Sequence, residues 1–352
     1  MNFKDMVTLN DQQYRRLEEN RKNFERFAED PDNARPAILI FAPGKKPFTI
    51  REQSHDPRKM LQNGLEGVRT RLAVEDDSLP ALRVEFGTGQ VANAYGCELH
   101  EQEDSPSCVK SSILSSWEEI EALENPSLTA GRFGELEEYT AFFRENAPDF
   151  VPIQLPALQG PFNNAHLIRG NDILFDFYDA PEMVDLLLSK VTDYQIALTK
   201  RMHEICHVEG GFFYDWSALW KGYGRICNCS LHMISTEFYK EFVQKYDQKI
   251  LDALGGGRIH YCGSHDDGLF DEFFSMKNMY GVDYDGAYHD LWELSKRAPK
   301  EMTLLQYMLP EQIERLLQGD WPEKRNIILQ ISVGSVEEGK DLYRRLRESM
   351  PF

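Results

Sequence analysis

The sequence contains no long apolar run, no apolar leader and no basic stripe, and each absence excludes a class of protein. No segment approaches the roughly 18 consecutive apolar residues that a membrane span needs. Residues 1–10 carry charges where a signal peptide would have an apolar core. The 352 residues include 39 Lys and Arg against 58 Asp and Glu, which gives a net charge of −19. Such a surface repels phosphate backbones and anionic lipids, so we expect neither a nucleic acid nor a membrane as partner.

Cysteine is sparse, with six residues in the whole chain. Without a secretion signal, this number indicates a cytoplasmic protein whose thiols stay reduced. Reduced thiols in a large enzyme are more often buried apolar groups, metal ligands or reactive groups than disulfides. The cysteines are Cys97, Cys108, Cys206, Cys227, Cys229 and Cys262.

Short apolar runs alternate with helical patterns along most of the chain, and this rhythm predicts a parallel α/β sheet. A hydrophobic content of 41% is enough for a large core. The predicted strands are 82–86, 150–155, 211–214, 258–261, 280–284, 302–307 and 327–331. The predicted helices are 116–123, 180–208, 235–254, 269–276 and 335–349, and an amphipathic helix is predicted near residues 10–28.

A barrel and an open doubly wound sheet both fit this rhythm, but no glycine-rich dinucleotide fingerprint opens a helix. The run Gly255-Gly256-Gly257 precedes a strand, and we expect it to end the preceding helix with left-handed residues. We therefore predict a (β/α)8 TIM barrel over residues 80–352, with an N-terminal helical and loop extension over residues 1–79 packed on it.

In such a barrel, catalytic side chains lie at the carboxyl ends of the strands. Several polar residues follow the predicted strands: Asp215 and Trp216, then His260 and Cys262, then Asp283 and Asp285, then Gln306 and Tyr307, with Arg225, Cys227 and Cys229 in the predicted loop after Asp215. The sequence thus gathers carboxylates, an imidazole and thiols at one end of the barrel.

His260 and Cys262 lie two residues apart on one strand, so their side chains point to the same face and can share a soft metal such as zinc. A buried histidine beside an apolar cysteine is the alternative. Cys227 and Cys229 form a second pair that would complete a tetrahedral set, unless they are ordinary packing residues. Asp215 is an alternative oxygen ligand.

Three further patterns have two interpretations each. Asp283 and Asp285 share one strand face, as an acid/base pair or as backbone-bonded carboxylates. His265-Asp266-Asp267 either contacts substrate or starts a helix. Residues 203–207, HEICH, formally match a zinc-protease motif, but the helix is expected on the outer ring of the barrel, which argues against a protease.

Several segments together resemble one family of enzymes. They are Leu158-Gln159-Gly160-Pro161-Phe162 followed by Arg169-Gly170, residues 176–193, residues 234–242, Ile259-His260-Tyr261-Cys262-Gly263, and Phe86-Gly87-Thr88-Gly89 with Gly96-Cys97-Glu98. In order and spacing, they are similar to segments of the uroporphyrinogen decarboxylase and cobalamin-dependent methyltransferase superfamily. The resemblance covers residues 80–350.

The resemblance implies a (β/α)8 barrel with its active site in the mouth. One branch of the superfamily decarboxylates the acetate arms of a tetrapyrrole. Another transfers methyl groups between corrinoid proteins and thiols or other acceptors, with zinc bound by His-x-Cys and a later Cys. Carried to this chain, it implies zinc at His260 and Cys262, and we expect Cys227 and Cys229 to assist as metal ligands. From their places at the predicted strand ends, we expect catalytic roles for Asp215, Asp283 and His260. The residues expected to bind substrate or cofactor are Phe86, Gly87, Thr88, Gln159, Arg169, Trp216, Tyr261, His265 and Gln306.

Two departures narrow this expectation. The arginine-rich substrate motif of the decarboxylases is absent, so nothing obvious neutralises a polycarboxylate. No cysteine follows Cys262, although the third zinc ligand should lie near the last strand, where residues 328–334 read ILQISVG. We predict a zinc-assisted methyltransferase that acts with a corrinoid on a small metabolite or thiol. The expected protein partner is the one that carries the corrinoid. A decarboxylase of a tetrapyrrole or smaller carboxylate and a non-catalytic tetrapyrrole- or corrinoid-binding barrel are the alternatives, and a homodimer is left open.

Overall fold

The computed structural model describes residues 2–265 and 268–351, so Asp266 and Asp267 of the polar triplet lie outside the described residues. The strands are β1 (Ala37–Phe41), β2 (Leu99–His100), β3 (Cys108–Val109), β4 (Val208–Glu209), β5 (Phe212–Asp215), β6 (Ala218–Lys221), β7 (Arg225–Cys227), β8 (Gly257–Tyr261), β9 (Met279–Asp285), β10 (Thr303–Tyr307) and β11 (Ile327–Ser332). Six of them form one parallel sheet in the order β1-β11-β10-β9-β8-β7.

The helices are α1 (Asp11–Glu29), α2 (Ile50–Ser54), α3 (Pro57–Val74), α4 (Gln90–Ala94), α5 (Trp117–Ala122), α6 (Phe133–Asn146), α7 (Pro161–Arg169), α8 (Ile173–Asp179), α9 (Pro181–Ile205), α10 (Thr236–Phe238), α11 (Gln244–Leu254), α12 (Gly268–Phe274), α13 (Leu291–Arg297), α14 (Pro310–Leu317) and α15 (Val336–Ser349). A π-helical turn, Tyr239–Val243, joins α10 to α11. Among the described helices, none has the length and apolarity needed to cross a bilayer.

Two irregular segments continue the sheet beyond β7. Gln159 bridges in parallel to Cys227, the last residue of β7, and Leu82 bridges in parallel to Ile153. The two strands predicted in this part of the chain are therefore present only as single bridges. Their order around the ring still follows their order in the sequence, as a (β/α)8 barrel requires.

A pair of aspartates links the other edge of the sheet to the same part of the ring. The backbone N–H of Asp77 donates to the carbonyl of Ile38 at 3.3 Å. In return, the carboxylates of Asp76 and Asp77 accept the backbone N–H groups of Ile40 at 2.5 Å and Ile38 at 2.7 Å. The strand β1 thus belongs to the main sheet although it precedes residue 80, and the division at residues 79 and 80 stays a prediction.

A three-stranded antiparallel sheet, β4-β5-β6, is inserted between α9 and the main sheet. The predicted barrel strand over residues 211–214 is wrong, because β5 pairs with β6 in a hairpin and not with the barrel strands. The turn of this hairpin is Trp216-Ser217, with φ values of 51° and 60°. These left-handed values are strained for side chains of this kind.

The hairpin fills the interior of the barrel. Trp220 of β6 lies 4.2 Å from the guanidinium of Arg258 on β8. It also packs so closely on Gly281 of β9 that a Cβ there would be 2.5 Å from its ring. Leu305 of β10 and Ile328 of β11 share the same apolar cluster as Trp220. The hairpin therefore contacts β8 and β9 from inside and shares an apolar cluster with residues of β10 and β11, which identifies it as a plug.

Local signals place many helices correctly. Ser116 and Glu119 form the predicted capping box of α5, and Pro181 begins α9 as expected. Gly255 and Gly256 have φ values of 82° and 104° and end α11, as predicted for this glycine run. The helix α3, in contrast, was not predicted.

Candidate active site

Three cysteines and one histidine meet at the carboxyl ends of β7 and β8. Cys227 on β7 lies in register with His260 on β8. The Sγ atom of Cys229 is 3.6 Å from that of Cys227 and 2.9 Å from that of Cys262. The donor atoms of Cys227, Cys229 and His260 all lie within 4.8 Å of one another. The structure thus brings together all four residues predicted as zinc ligands, although Cys227 ends a strand and does not lie in a loop.

Asn228, between the two cysteines of the Cys-x-Cys pair, fixes their arrangement. It is fully buried, and its backbone N–H donates to the carbonyl of His260 at 2.8 Å. Its side-chain amide donates to the carboxylate of Asp247 on α11 at 2.6 Å. A 3-10 turn, Cys229–Met233, follows directly. Asn228 therefore turns the chain so that the thiols on either side of it both reach the imidazole.

The close thiols influence one another's ionisation. Contact with Cys229 and the charge of Arg225 lower the pKa of the Cys227 thiol to about 6, against the effect of burial. Contact with Cys229 also lowers the pKa of Cys262. The pKa of Cys229 is raised by both thiol neighbours and by burial. A cluster in which two thiols ionise readily is suited to hold a cation.

The imidazole of His260 is hydrogen-bonded to a buried network of charged side chains. Its Nδ1 is hydrogen-bonded to the carboxylate of Asp283 on β9, and the other oxygen of Asp283 accepts from Arg258. Asp283 and Arg258 are both fully buried. Burial, followed by the charges of Arg225 and Arg258, holds the pKa of His260 well below its usual range. A neutral imidazole bonded through Nδ1–H leaves Nε2 with a lone pair for a metal.

Asp215 lies at the tip of the hairpin inside the barrel and not at the carboxyl end of a barrel strand. Its carboxylate accepts from Arg258 and Arg83, and from Arg225 at 3.5 Å. Although burial alone would raise the pKa of Asp215, the three guanidinium groups outweigh it and hold this pKa far below its usual range. With both oxygens engaged by arginines, Asp215 is not free to bind a metal.

Trp216, the next residue of the plug, lies inside the ring between three side chains. Its ring is 5.7 Å from the guanidinium of Arg83 and 6.0 Å from that of Arg225. Its edge contacts the ring of Tyr307 at the end of β10, with centroids 6.4 Å apart. The structure therefore places Trp216 in the interior of the ring, in the turn of the hairpin and not at the end of a barrel strand.

Three of the predicted binding residues face the helix layer instead of the interior. The hydroxyl of Tyr261 is 2.6 Å from Nδ1 of His265, whose Nε2 is 2.6 Å from the carbonyl of Ile234. The amide of Gln306 donates to Gln312 of α14 at 2.8 Å. Successive side chains of a strand point to opposite faces, so Tyr261 must point away from the face that carries its neighbour His260. The structure does not bring these three residues to the thiol cluster.

The remaining predicted residues are divided between the cluster and its surroundings. Gln159 bridges to Cys227 and accepts from Asn163 at 2.6 Å, so it lies beside the cluster. Arg169, at the opposite end of α7, makes a bidentate contact with Asp176 at 2.7 and 3.2 Å. Both partners are buried, and Arg169 is therefore committed to packing the outer helices.

In the loop of Phe86, Gly87 and Thr88, the first two residues are covered by their neighbours and Thr88 is exposed. The guanidinium of Arg132 lies 3.8 Å from the ring of Phe86. Gly87 has a φ of 94°, and a Cβ there would be 2.4 Å from the carbonyl of Ser107. The glycine thus allows the loop to pass under Ser107, and the structure shows no direct link from this loop to the thiols.

Two other predicted patterns are resolved by their hydrogen bonds. Asp285 accepts the backbone N–H of Ala287 at 2.9 Å, whereas Asp283 is fully buried in the ion network, so the two carboxylates do not share one environment. His203 contacts the carbonyl of Tyr223. His207 lies beyond the end of α9 and accepts from Ile153 at 3.1 Å. The HEICH segment therefore does not form a metal site.

The chain is similar to known proteins both in sequence and in fold. Residues 48–210 match the uroporphyrinogen decarboxylase (URO-D) family. Two curated relatives are the methylcobamide:CoM methyltransferases MtbA of Methanosarcina acetivorans and Methanosarcina mazei. They are 29% and 28% identical to this chain over 195 residues, which make up 54% of this chain and 53% of each relative. The match thus spans about half the length of either relative.

A solved methyltransferase structure from Methanosarcina mazei has the same architecture. It superposes with a TM-score of 0.70 over 94% of this chain and 98% of that chain, at 14% sequence identity. At this identity the similarity concerns the fold alone, and it confirms the predicted barrel class. Sequence and fold together confirm the resemblance that the motifs predict, to the uroporphyrinogen decarboxylase and cobalamin-dependent methyltransferase superfamily.

Proposed function

We propose that this chain is a zinc-assisted methyltransferase that moves a methyl group between a corrinoid and a small thiol or methylated metabolite. The observation that carries the proposal is the convergence of Cys227, Cys229, Cys262 and His260 at the mouth of the barrel. The names of the curated relatives support it, since both are methylcobamide:CoM methyltransferases. A corrinoid carrier protein is accordingly the partner we propose.

The geometry of Cys227, Cys229 and His260 fits zinc, since their ligand atoms all lie within 4.8 Å of one another, and Cys262 lies beside them. In a tetrahedral site, bonds of about 2.3 Å to sulfur and 2.0 Å to nitrogen put ligand atoms about 3.5–3.8 Å apart. The Sγ atoms of Cys227 and Cys229, 3.6 Å apart, meet this requirement. Those of Cys229 and Cys262, at 2.9 Å, would separate by somewhat less than ~1 Å to reach the tetrahedral spacing. Thiolates and a neutral imidazole are also the ligand types that zinc prefers.

The Cys227-x-Cys229 turn offers a replacement for the ligand that is missing from the last strand. On β11, Gln330 is buried where a late cysteine was expected, and its side-chain oxygen has no hydrogen-bond partner among the described residues. Cys227 at the end of β7 and Cys229 in the turn after it approach His260 from the opposite side. We infer that this chain completes its metal site from the strand before the His-x-Cys motif instead of from the end of the barrel.

The four ligands differ in exposure, and this difference suggests how a substrate reaches the site. Cys227 is buried and Cys262 is exposed. We infer that Cys227, Cys229 and His260 hold the metal, and that Cys262 occupies the side on which a substrate thiol arrives. When bound, zinc would lower the pKa of such a thiol and so supply a thiolate at neutral pH. Asp283 would keep Nε2 of His260 directed at the site.

Decarboxylation of a tetrapyrrole is less well supported by the interior of the barrel. A substrate with many carboxylates needs unpaired cationic groups in the mouth. The guanidinium groups of Arg83, Arg225 and Arg258 are paired with Asp215, and Arg258 also with Asp283. All three are therefore already engaged by carboxylates of the protein.

Metal analysis of the purified protein tests the proposal. We expect about one zinc per chain in the wild type, and loss of that zinc in Cys229→Ser and His260→Ala. Cys108→Ser, which changes an exposed cysteine on β3, is the matched control and should keep its zinc. A correctly folded wild-type protein that binds no zinc when the metal is supplied would refute the zinc site.

A spectroscopic assay then tests the reaction itself. The absorption spectrum of methylcobalamin changes when its methyl group leaves, so the zinc-loaded protein is mixed with methylcobalamin and a series of small thiols. We expect the change to depend on both the thiol and Cys229. A silent spectrum across all acceptors, with zinc bound, would favour a binding protein over a methyltransferase.

A further inference from the structure

A second cavity lies at the amino-terminal end of the barrel, away from the thiols. Its walls come from α1, α3 and the plug hairpin, together with chain segments that immediately precede barrel strands, such as Leu79 and Pro152. Its volume is 470 Å³, within the range of about 300–1,000 Å³ that is usual for small-molecule sites. The thiol cluster lies at the carboxyl ends of β7 and β8, so the two sites are at opposite ends of the barrel.

The walls of this cavity are apolar and rich in aromatic rings. Leu17 of α1, Leu72 of α3 and Leu219 of β6 line it, together with the rings of Phe212 and Tyr14. Tyr14 is 57% exposed, so its ring is accessible to a ligand from the open side of the cavity. Such a lining binds the apolar part of a ligand.

The charged residues of the cavity are mainly acidic. Glu18 of α1 and Glu209 of β4 line it, and among the residues that the structure describes no ion pair involves either carboxylate. Arg21, the lining arginine, is paired with Glu25 at 3.2 Å. Burial lowers the pKa of the lining histidine, His207, which favours its uncharged form. The cavity therefore carries unbalanced negative charge beside apolar walls.

We propose that this cavity binds a small ligand with an aromatic or aliphatic body and one cationic ammonium group. The body would lie against the leucines and aromatic rings, and the ammonium group would pair with Glu18 and Glu209. Aromatic faces such as that of Tyr14 also attract cations, which adds to the preference for this charge. An anionic ligand of the same shape would be repelled. The site stands apart from the thiol cluster and does not depend on the function proposed for that cluster.

Calorimetric titration of the full chain with phenethylammonium and with 3-phenylpropanoate tests the proposal. The two probes have similar size and shape but opposite charge. We expect saturable binding of phenethylammonium with a stoichiometry of about one and no measurable binding of 3-phenylpropanoate. Glu18→Gln and Glu209→Gln should each weaken phenethylammonium several-fold, about the effect of losing one charge-assisted hydrogen bond.

Two matched variants locate the binding. Glu19→Gln removes an equally exposed carboxylate from α1 that does not line the cavity, and it should leave the affinity unchanged. Leu17→Trp fills the cavity from its partly exposed side and should abolish binding while circular dichroism shows an intact fold. Equal binding of both probes, no binding of either, or an affinity indifferent to Glu18→Gln and Glu209→Gln would overturn the proposal.

Discussion

His260 is hydrogen-bonded through Nδ1 to Asp283 on the neighbouring strand, and neither residue could be moved without disturbing Arg258 behind them. The imidazole is thus oriented by a carboxylate that is itself fixed by a buried guanidinium. Arrangements of this kind fix both the tautomer and the direction of a metal-binding histidine. The proposed zinc site is therefore supported from within the barrel and not only by its own ligands.

Asp283→Asn tests this support. The variant keeps the shape of the side chain but removes the charge that favours Nδ1–H, so zinc affinity should fall by about tenfold to a hundredfold. Competition with a chromogenic chelator measures the change. Asp285→Asn, two residues further along the same strand, is the control, because Asp285 accepts a hydrogen bond from Ala287 instead of from the imidazole. Equal affinities in all three proteins would show that Asp283 does not position His260.

Asp215→Asn tests the role of the plug. Asp215 forms ion pairs with Arg83, Arg225 and Arg258 inside the barrel, and its loss removes the carboxylate that these three arginines share. Breaking one side of a buried ion pair costs ~3–5 kcal/mol, and we expect a loss of this size in the free energy of unfolding. Urea denaturation followed by circular dichroism measures it.

The control for this prediction is Asp149→Asn. Asp149 is highly exposed and pairs with Lys4 at 3.0 Å, a kind of contact worth ~1 kcal/mol or less. If both variants unfolded at the same urea concentration as the wild type, Asp215 would not be the electrostatic centre of the barrel.

Arg169→Met tests whether Arg169 packs the outer helices or binds substrate, as the sequence predicted. Its guanidinium is buried against Asp176, so the variant should lose ~3 kcal/mol of folding free energy. Its zinc content should stay at the wild-type value, because Arg169 does not contact the thiol cluster. Arg344→Met on the exposed face of α15 should change stability by ~0.5 kcal/mol or less. A stable Arg169→Met protein with reduced affinity for a thiol substrate would restore the substrate-binding role.

Asp247→Asn tests a pH effect at the anchor of the Cys-x-Cys turn. Burial raises the pKa of Asp247 to about 7, although its hydrogen bonds with Asn228 and Tyr239 act in the opposite direction. In the unfolded chain the value is about 3.9. A folded-state pKa above the unfolded one favours folding below pH ~4, and this contribution is lost as the pH rises to ~7. The wild type should therefore lose stability over this window relative to the variant.

From pH 5 to pH 7.5, the unfolding free energy of the wild type should fall by up to ~3 kcal/mol relative to that of Asp247→Asn. Urea denaturation at the two pH values measures this shift. Asp252→Asn, at an exposed carboxylate of the same helix, should follow the wild type at both pH values. A constant difference between Asp247→Asn and wild type would mean that Asp247 does not titrate in this range.

The regular part of the barrel could be predicted because its strands are buried on both faces and read as continuous apolar runs. Predicted strands at 258–261 and 327–331 correspond closely to β8 and β11. The strand β7, three residues long, is too short for its pattern to stand out, so Cys227 was expected in a loop. Its partnership with His260 could still be expected, since successive parallel strands meet at their carboxyl ends.

The plug could not be predicted, because its first strand has the same apolar pattern as a barrel strand. A two-residue hairpin turn is usually recognised in a sequence by glycine or asparagine, whereas here Trp216 and Ser217 adopt the left-handed conformation. Arg258 was a signal that the sequence did offer, since a charged residue inside an apolar strand must find a partner. Its partners Asp215 and Asp283 are distant in sequence, so only the folded chain identifies them.

The plug also makes the barrel a single cooperative unit. In the sequence, the hairpin lies between the third and the fourth strand segment of the barrel. In the structure, Asp215 contacts Arg83 before it and Arg258 after it, and Trp220 packs on Gly281 of β9. A fragment that ends after α9 would lack the side chains that fill its interior, and a fragment that begins at β7 would expose buried arginines without their carboxylate. We therefore expect neither half to fold by itself, because Arg83 and Arg258 share their carboxylate partner only in the complete chain.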